Sequence, residues 1–294
     1  MKDLMGLGTA LITPFKADGS VDYEALTRLL DTQLTGFVDY IVVLGTTGEA
    51  ATLTVDEKRE VRTFIRQYVN GRLPLVLGVG GNNTAAVCES LKTIDLTGFE
   101  AILSVCPYYN KPNQEGLFQH FCAIAEASPI PVILYNVPGR TGVNLLPETV
   151  MRIYSAHPDK IAGIKEASGN LDQIKHLINL INGEANERSE GALHLPLVIS
   201  GDDALACDVM QAGGAGLISV ASNAFPQHFH DIVHKKDQAL QVRYAEIIRL
   251  LFAEGNPVGI KAVLAQKGII QNYLRLPLVP ASAVLQEDIQ KELA

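Results

Sequence analysis

Tryptophan is absent from the 294-residue chain, and aromatic residues make up only 6% of it. Charged residues are sparse at 19%, and the longest basic run is the pair Lys235 and Lys236. Nucleic-acid binding requires a basic stripe or patch, so we expect no nucleic-acid partner. The formal net charge of -8 still allows an anionic substrate, because a few local cations are enough to hold one.

Long apolar runs are also missing. The apolar runs are strand-sized, about 4–8 residues, whereas a helix needs ~20 apolar residues to cross a bilayer. Residues 1–6 lack the long apolar stretch of a secretory signal peptide. We therefore expect a cytoplasmic protein without a membrane partner.

Cysteine and histidine are few, and their spacing does not indicate a metal site. The four cysteines, at positions 88, 106, 122 and 207, lie in apolar segments and form no Cys-x-x-Cys pair, which is typical of buried thiols in a reducing compartment. His230 and His234 would share a helix face, for which a solvated surface is the simpler interpretation. Asp202 and Asp203 could hold a cation, but either could equally cap the helix that follows. We predict no metal.

What the chain does contain is a regular series of eight short apolar runs rich in β-branched residues. They span 7–13, 40–44, 75–79, 101–105, 132–135, 161–164, 197–200 and 216–220. Strands that are apolar on both faces are typical of a buried parallel sheet. Helical patterns lie between the runs, including a capping box from Thr54 to Glu57. The alternation predicts a (β/α)8 barrel; the alternative, an open doubly wound sheet, lacks its dinucleotide fingerprint here.

The series of strands stops near residue 225. Residues 242–252 and 259–267 have helical patterns instead. We therefore predict a catalytic barrel over 1–224 and a C-terminal helical extension over 225–294. The polar stretch 183–194 is longer than most barrel loops, and we interpret it as a surface excursion.

Lysine at position 165 is the sharpest chemical signal at the predicted strand ends, where barrel enzymes place their active sites. A free lysine amine is protonated at neutral pH, and an apolar surround favours the neutral, nucleophilic form needed for a Schiff base. Tyr135 ends the preceding strand and could shuttle protons. The alternative is a strand-end lysine whose ammonium reaches water or pairs with a carboxylate. Glu166 is a poor partner, since adjacent strand residues point to opposite faces.

Other polar groups follow neighbouring strands. Thr46 and Tyr109 carry hydroxyls that could extend a proton relay, although a turn hydroxyl and a rim tyrosine are the ordinary interpretations. Amides of residues 45–48 could bind a carboxylate. Arg140 follows a Pro-Gly turn, where its guanidinium could grip a carboxylate or remain solvated.

Five motifs together resemble the dihydrodipicolinate synthase family, within the superfamily of pyruvate-dependent aldolases and N-acetylneuraminate lyases. They are Gly-Thr-Thr-Gly-Glu at 45–49, Pro-Tyr-Tyr-Asn at 107–110, Tyr-Asn-Val-Pro-Gly-Arg-Thr-Gly at 135–142, Gly-Ile-Lys-Glu-Ala at 163–167 and Ser-Gly-Asp-Asp at 200–203. The likeness covers nearly the whole chain. It implies a lyase of lysine and diaminopimelate synthesis that condenses pyruvate with L-aspartate 4-semialdehyde and needs no cofactor.

The resemblance also implies a role for each site residue. Lys165 forms the imine with pyruvate, and Tyr135 is the general acid and base. Thr46 links Tyr135 to Tyr109, which in this family comes from the neighbouring subunit of a homotetramer, a dimer of dimers. For substrate binding, the resemblance implies that Thr47 binds the pyruvate carboxylate and that Arg140 binds the semialdehyde carboxylate. It also implies that the backbone carbonyl of Ile218 lies near the pyruvate.

One departure from the family concerns regulation. Lysine-inhibited members line an effector cleft with polar residues and histidines at the dimer interface. The matching positions here are Ala50, Val55, Lys58, Asn82, Ala86 and Tyr108, of which only Asn82 and Tyr108 fit. We expect weak or absent inhibition by lysine.

Two rival functions remain at this stage. A sialic-acid lyase or a keto-deoxy-sugar acid aldolase would keep the pyruvate enamine and change the acceptor, but Arg140 in its Pro-Gly-Arg-Thr-Gly setting favours a short acceptor with a carboxylate. A catalytically inactive barrel that binds a keto acid and regulates a partner would not need Lys165, Tyr135, Thr46 and Tyr109 together.

Overall fold

The computed structural model of the protein describes residues 4–187 and 195–294. These residues form a closed barrel of eight strands in chain order, and each strand pairing that is defined residue by residue is parallel. The strands are β1 Gly6–Ala10, β2 Tyr40–Val43, β3 Leu75–Gly78, β4 Ala101–Val105, β5 Val132–Asn136, β6 Ile161–Glu166, β7 Leu197–Ser200 and β8 Gly216–Ser219. The predicted (β/α)8 fold is confirmed.

The strands form where side chains can be buried on both faces. All residues of β1, β2, β5, β6 and β8 are buried, which explains why their sequences are continuous apolar runs instead of alternating ones. Lys165 and Glu166 are the charged exceptions, and both lie at the end of β6.

The helices follow the strands, and several begin at recognisable caps. They are α1 Tyr23–Thr35, α2 Val55–Val69, α3 Thr84–Thr93, α4 Gln114–Ala127, α5 Pro138–Thr141, α6 Pro147–Ala156, α7 Leu171–Glu187, α8 Ala206–Gln211, α9 Pro226–Lys235, α10 Gln238–Arg243, α11 Ala245–Phe252, α12 Val258–Gln266 and α13 Ala283–Leu293. The predicted capping box of α2 is present: Thr54 accepts from the Glu57 amide, and the Glu57 carboxylate accepts from the Thr54 amide. Pro147 occupies the first turn of α6, where a missing N–H costs nothing.

Strands β5 and β6 are not in uniform register. Val132 pairs with Ile161, but Ile133 pairs with Gly163, so Ala162 is left as an extra residue on β6. Beyond this irregularity Tyr135 pairs with Lys165 and Asn136 with Glu166.

Internal packing divides the chain into two compact units, one of which is made of two segments that are separated in sequence. The unit that contains Leu75–Ile218 has a core of branched aliphatic side chains from β3 to β8 and of apolar residues such as Leu117, Phe121 and Ile124 from α4.

The other unit comprises Gly6–Pro74 and Ser219–Ala294. Besides its apolar core it contains a buried polar cluster, in which the Thr9 hydroxyl lies 2.7 Å from Gln33 Oε1 and 2.8 Å from the Ser222 hydroxyl. The Asn223 side chain accepts from the Ile12 amide and donates to the Ala10 carbonyl. These bonds satisfy buried backbone groups at the end of β1, where desolvation without partners would be costly.

Two details differ from the sequence-based expectations. Helix α7 continues to Glu187, so the prediction that a surface excursion starts at Gly183 is wrong for its first five residues, while 188–194 lie outside the described residues. All four cysteines are free, but Cys88 and Cys122 are only partly buried. The domain boundary at 224/225 stays a prediction. In the described residues, no helix is long and apolar enough to cross a membrane.

Candidate active site

Lys165 and Tyr135 lie side by side at the ends of β6 and β5. The strand pairing places them directly opposite each other, and Lys165 Nζ is 4.3 Å from the centroid of the Tyr135 ring. Both side chains are 6% exposed. The sequence-based expectation that the two residues are neighbours is therefore confirmed.

Lys165 has no charged partner in the part of the chain that the structure describes. Within residues 4–187 and 195–294 its Nζ makes no hydrogen bond or ion pair, and the Tyr135 ring supplies the one cation–π contact. Gly201 leaves room for the side chain, because a Cβ there would lie 2.9 Å from Lys165 Cε. A buried amine of this kind is unusual, since burial of a charge without a partner is costly.

Glu166 points away from Lys165 into a separate polar network. Its carboxylate accepts hydrogen bonds from Asn136 Nδ2 at 2.9 Å, the Ser168 amide at 2.8 Å and Gln173 Nε2 at 3.2 Å. Burial raises the pKa of the Glu166 carboxyl, and the donors oppose that shift. The network anchors the end of β6 to β5 and α7, and so holds the backbone that carries Lys165.

Tyr109 and Arg140 lie in exposed positions, whereas Ile218 is buried. Tyr109 follows β4 with a φ of 76°, and its side chain is 85% exposed. Arg140 belongs to the short helix α5 and is exposed, and Ile218 lies in β8 with 1% exposure. A positive φ is rare for a residue with a Cβ, so the conformation that turns Tyr109 outwards is specified by its surroundings.

Thr46 and Thr47 form a tight turn directly after β2. Thr46 is exposed, whereas Thr47 is buried and its hydroxyl accepts a 2.9 Å hydrogen bond from Asn256 Nδ2. Since the side-chain amide of Asn256 donates to Thr47 Oγ1, the hydroxyl proton of Thr47 stays available to a further acceptor. The turn is fixed on its other side by Thr13, whose hydroxyl donates to the Gly48 carbonyl at 2.7 Å.

A buried ion pair supports the same turn. Glu49 adopts a left-handed conformation, with a φ of 51°, and its carboxylate forms an ion pair with Lys261 of α12. Lys261 Nζ also donates to the Tyr273 carbonyl at 3.0 Å, and the Arg275 amide donates to Glu49 Oε2 at 3.1 Å. Burial lowers the pKa of Lys261 to about 8, while the Glu49 carboxylate opposes that shift.

Sequence reasoning did not identify Asn256 or Lys261, or the partners of Glu49 and Glu166. For Lys261 there was a signal, because a lysine between Ile260 and Ala262 interrupts an otherwise apolar helix. For Asn256 we find no comparable signal, since its contact with Thr47 spans 209 residues of chain.

The closed barrel, with a buried lysine and a tyrosine at adjacent strand ends, places the chain in the class of (β/α)8-barrel enzymes. The model of the dihydrodipicolinate synthetase family matches residues 3–294. A 4-hydroxy-tetrahydrodipicolinate synthase from Parabacteroides distasonis is 47% identical, covering 99% of this chain and 96% of its own. One from Phocaeicola vulgatus is 50% identical, covering 94% of this chain and 92% of its own.

A solved structure supports the same assignment. The chloride-inhibited dihydrodipicolinate synthase from Acinetobacter baumannii, complexed with pyruvate, has a TM-score of 0.91 and 38% identity, covering 99% of this chain and 98% of its own. The chain belongs to the dihydrodipicolinate synthetase family and is a lyase, as the motifs predicted.

Proposed function

We propose that the protein condenses pyruvate with L-aspartate 4-semialdehyde to 4-hydroxy-tetrahydrodipicolinate, through a Schiff base on Lys165. The family and its named relatives support the reaction. The observation that carries the Schiff base is the burial of Lys165 beside Tyr135, with no carboxylate partner among the described residues. An amine in such a place is free to attack a ketone, whereas an amine held in an ion pair is not.

The reaction proceeds by exchange of bonds without an oxidant or a metal. The neutral amine of Lys165 attacks C2 of pyruvate, and water leaves to form the imine. Loss of a methyl proton gives the enamine, whose carbon attacks the aldehyde of the semialdehyde. The substrate amino group then attacks the imine carbon, closes the ring and expels Lys165 unchanged.

Proton transfer in these steps is assigned to Tyr135. Its phenol lies against the Lys165 side chain, which is where the leaving water and the hydroxyl formed from the aldehyde need a proton donor. We assign Thr46 and Tyr109 to the relay that exchanges this proton with solvent.

Substrate carboxylates are assigned to groups whose hydrogen-bonding capacity fits them. We assign the pyruvate carboxylate to Thr47, whose hydroxyl proton is left available by Asn256. We also assign the Ile218 carbonyl to the pyruvate site. Arg140 binds the semialdehyde carboxylate, because a guanidinium offers two parallel donors.

Borohydride trapping tests the Schiff base. With pyruvate present, reduction converts the imine into a stable secondary amine, and peptide mass mapping should find the added mass on Lys165. Lys165→Ala should remain unlabelled. Lys160→Ala is the matched control, since Lys160 directly precedes the same strand and its Nζ donates to the Ser128 carbonyl at 2.9 Å. Label elsewhere, or none in the parent, would refute the mechanism.

The acceptor is tested separately, with pyruvate held fixed. Turnover should be far higher with L-aspartate 4-semialdehyde than with N-acetylmannosamine or glyceraldehyde, because only the semialdehyde carries a carboxylate for Arg140. A preference for either sugar-like aldehyde would keep the Schiff base and reject the proposed product.

We further propose that the protein is a cytoplasmic homotetramer in which Tyr109 serves the active site of the partner subunit. Its 85% exposed side chain supports a role outside its own chain. Coexpression of Lys165→Ala with Tyr109→Phe should give more activity than the average of the two separate variants, because mixed dimers reunite an intact lysine with an intact tyrosine. Activity no higher than that average would reject the sharing.

Weak or absent inhibition by lysine also remains our proposal. Lys58 would repel the ammonium of an effector, and Ala50 and Ala86 offer no polar side chain to it. Half-inhibition of turnover by sub-millimolar lysine would overturn this proposal.

A further inference from the structure

Two histidines and an aspartate converge at the start of β2, the opposite end of this strand from the turn that carries Thr46 and Thr47. His230 and His234 are four residues apart on α9 and therefore share a face, with ring centroids 4.2 Å apart. Asp39 immediately precedes β2. One ligand atom from each of the three residues lies within 4.8 Å of the other two.

A hydrogen bond to the backbone fixes which nitrogen of His230 faces the cluster. His230 Nδ1 lies 2.7 Å from the Phe37 carbonyl, which only accepts, so Nδ1 carries the hydrogen and Nε2 of the neutral ring carries the lone pair. A backbone carbonyl on one imidazole nitrogen is the usual support of a histidine that binds metal through the other.

Asp39 and His234 are hydrogen-bonded to each other. His234 Nε2 lies 2.7 Å from Asp39 Oδ2, and the Leu7 amide donates to the same oxygen at 2.6 Å. Gly6, with a φ of 87°, makes the approach possible, because a Cβ there would lie 2.2 Å from Asp39 Oδ2 and 3.0 Å from His234 Cε1.

We propose that His230, His234 and Asp39 bind one divalent transition-metal ion of the zinc class, with water in the remaining position. Two imidazole nitrogens and a carboxylate oxygen are a donor set that zinc accepts, and histidines four apart on a helix are a common half of such a site. Bonds of about 2.0–2.1 Å to a tetrahedral ion separate its ligand atoms by about 3.4 Å. The 2.7 Å contact between His234 and Asp39 must therefore widen slightly, as the metal replaces the proton they share.

The site is accessible to an ion from solvent. The side chains of His234 and Asp39 are 40% and 31% exposed, so binding needs no opening of the core. An ion there would fasten α9 to the start of β2, and it would stabilise the folded state because the ligands converge only on folding. This role is independent of Lys165 and of its reaction.

Calorimetric titration of tag-free, chelator-treated protein with zinc sulfate tests the proposal. We expect one ion per chain and a melting temperature that rises with zinc, and Co2+ in place of zinc should give the visible absorption of a tetrahedral complex. His234→Gln and His230→Gln should each weaken binding by about 10-fold or more.

His176→Gln is the matched control. His176 is also an exposed histidine paired with a carboxylate, Glu148 at 2.7 Å, but among residues 4–187 and 195–294 it belongs to no such cluster. It should leave both the affinity and the zinc-dependent rise in melting temperature unchanged. Absence of binding to the parent, or equal losses in His176→Gln and His234→Gln, would overturn the proposal and indicate unspecific surface binding.

Discussion

Two lysines of this protein are buried to a similar degree but have opposite surroundings. Lys261, which is fully buried, is paired with Glu49 and donates to the Tyr273 carbonyl, and its Nζ lies 4.1 Å from the centroid of the Phe15 ring. Lys165 is 6% exposed and has the Tyr135 ring but no carboxylate partner among the described residues. Burial alone therefore does not identify a reactive lysine, and the absence of a partner is the more informative property.

The contrast has a physical basis. A carboxylate partner favours the charged form of a buried amine and so makes the amine a poorer nucleophile; at Lys261 the Glu49 carboxylate acts in this way against burial, which lowers the pKa to about 8. An amine without partners carries an uncompensated cost of burial, and such costs persist mainly at sites where chemistry uses them. Lys261 belongs to the first kind and Lys165, by our proposal, to the second.

Removal of the reactive amine should have the largest effect. Lys165→Ala should lower kcat by at least about 1,000-fold, because no neighbouring group can form the imine. Its melting temperature should stay close to that of the parent, because no ion pair is lost. A steady-state assay measures kcat and a thermal melt measures the melting temperature. Retention of most activity would contradict the view that Lys165 is the reactive lysine of the two.

Removal of the structural amine should act on stability. Lys261→Met should lower the free energy of unfolding by about 3–5 kcal/mol, because Glu49 is left as a buried charge without its partner. Urea unfolding measures the loss. Adding Glu49→Gln to this variant should recover part of it, and a double variant as unstable as the sum of the two single ones would contradict the pairing.

The network behind Lys165 should give an intermediate effect. Glu166→Gln replaces an acceptor with an amide that turns its NH2 group towards the donors of Asn136, Gln173 or the Ser168 amide, at a cost of about 1–3 kcal/mol. We expect a measurable loss of stability in urea and a smaller loss of kcat than in Lys165→Ala. Unchanged stability would mean that the carboxylate does not anchor β6.

Acid should lower the stability of the folded protein slightly, through the ion pair between Glu57 and Arg275. Arg275 lies beside the pair of Lys261 and Glu49, since its amide donates to the Glu49 carboxylate. The hydrogen bonds from Arg275 lower the pKa of Glu57 from 4.5 to about 2. Because the folded-state pKa is depressed, the stabilisation is complete above pH 4.5 and is lost as pH falls towards 2. The midpoint of urea unfolding should therefore fall less steeply between pH 4.5 and about 2 in Arg275→Gln than in the parent. The same dependence of the midpoint on pH in both proteins would show that the pair of Glu57 and Arg275 does not contribute to stability.

Much of the fold could be predicted from local sequence. The apolar runs that became β4 and β7 match their predicted bounds, because burial of a strand on both faces is a property of neighbouring residues. The role of Lys165 could also be inferred from the sequence, since it lies one residue beyond a predicted strand.

The remaining features depend on residues that are distant in the chain. The pairs Asn256 with Thr47 and Lys261 with Glu49 each join segments more than 200 residues apart, so no local pattern reports them. Asp39 likewise meets His234 across 195 residues. For that reason the two histidines of α9 were interpreted from sequence as a solvated face.

The single unpaired residue near the start of β6 decides which chemistry the strand end offers. If Ala162 were paired with Ile133 and the register stayed uniform, Tyr135 would stand opposite Ile164 and Lys165 would stand opposite Asn136. The carboxyl of the next residue would then lose its amide donors as well. A slip of the pairing by one residue at Ala162 would thus exchange the inside and the outside of the strand end.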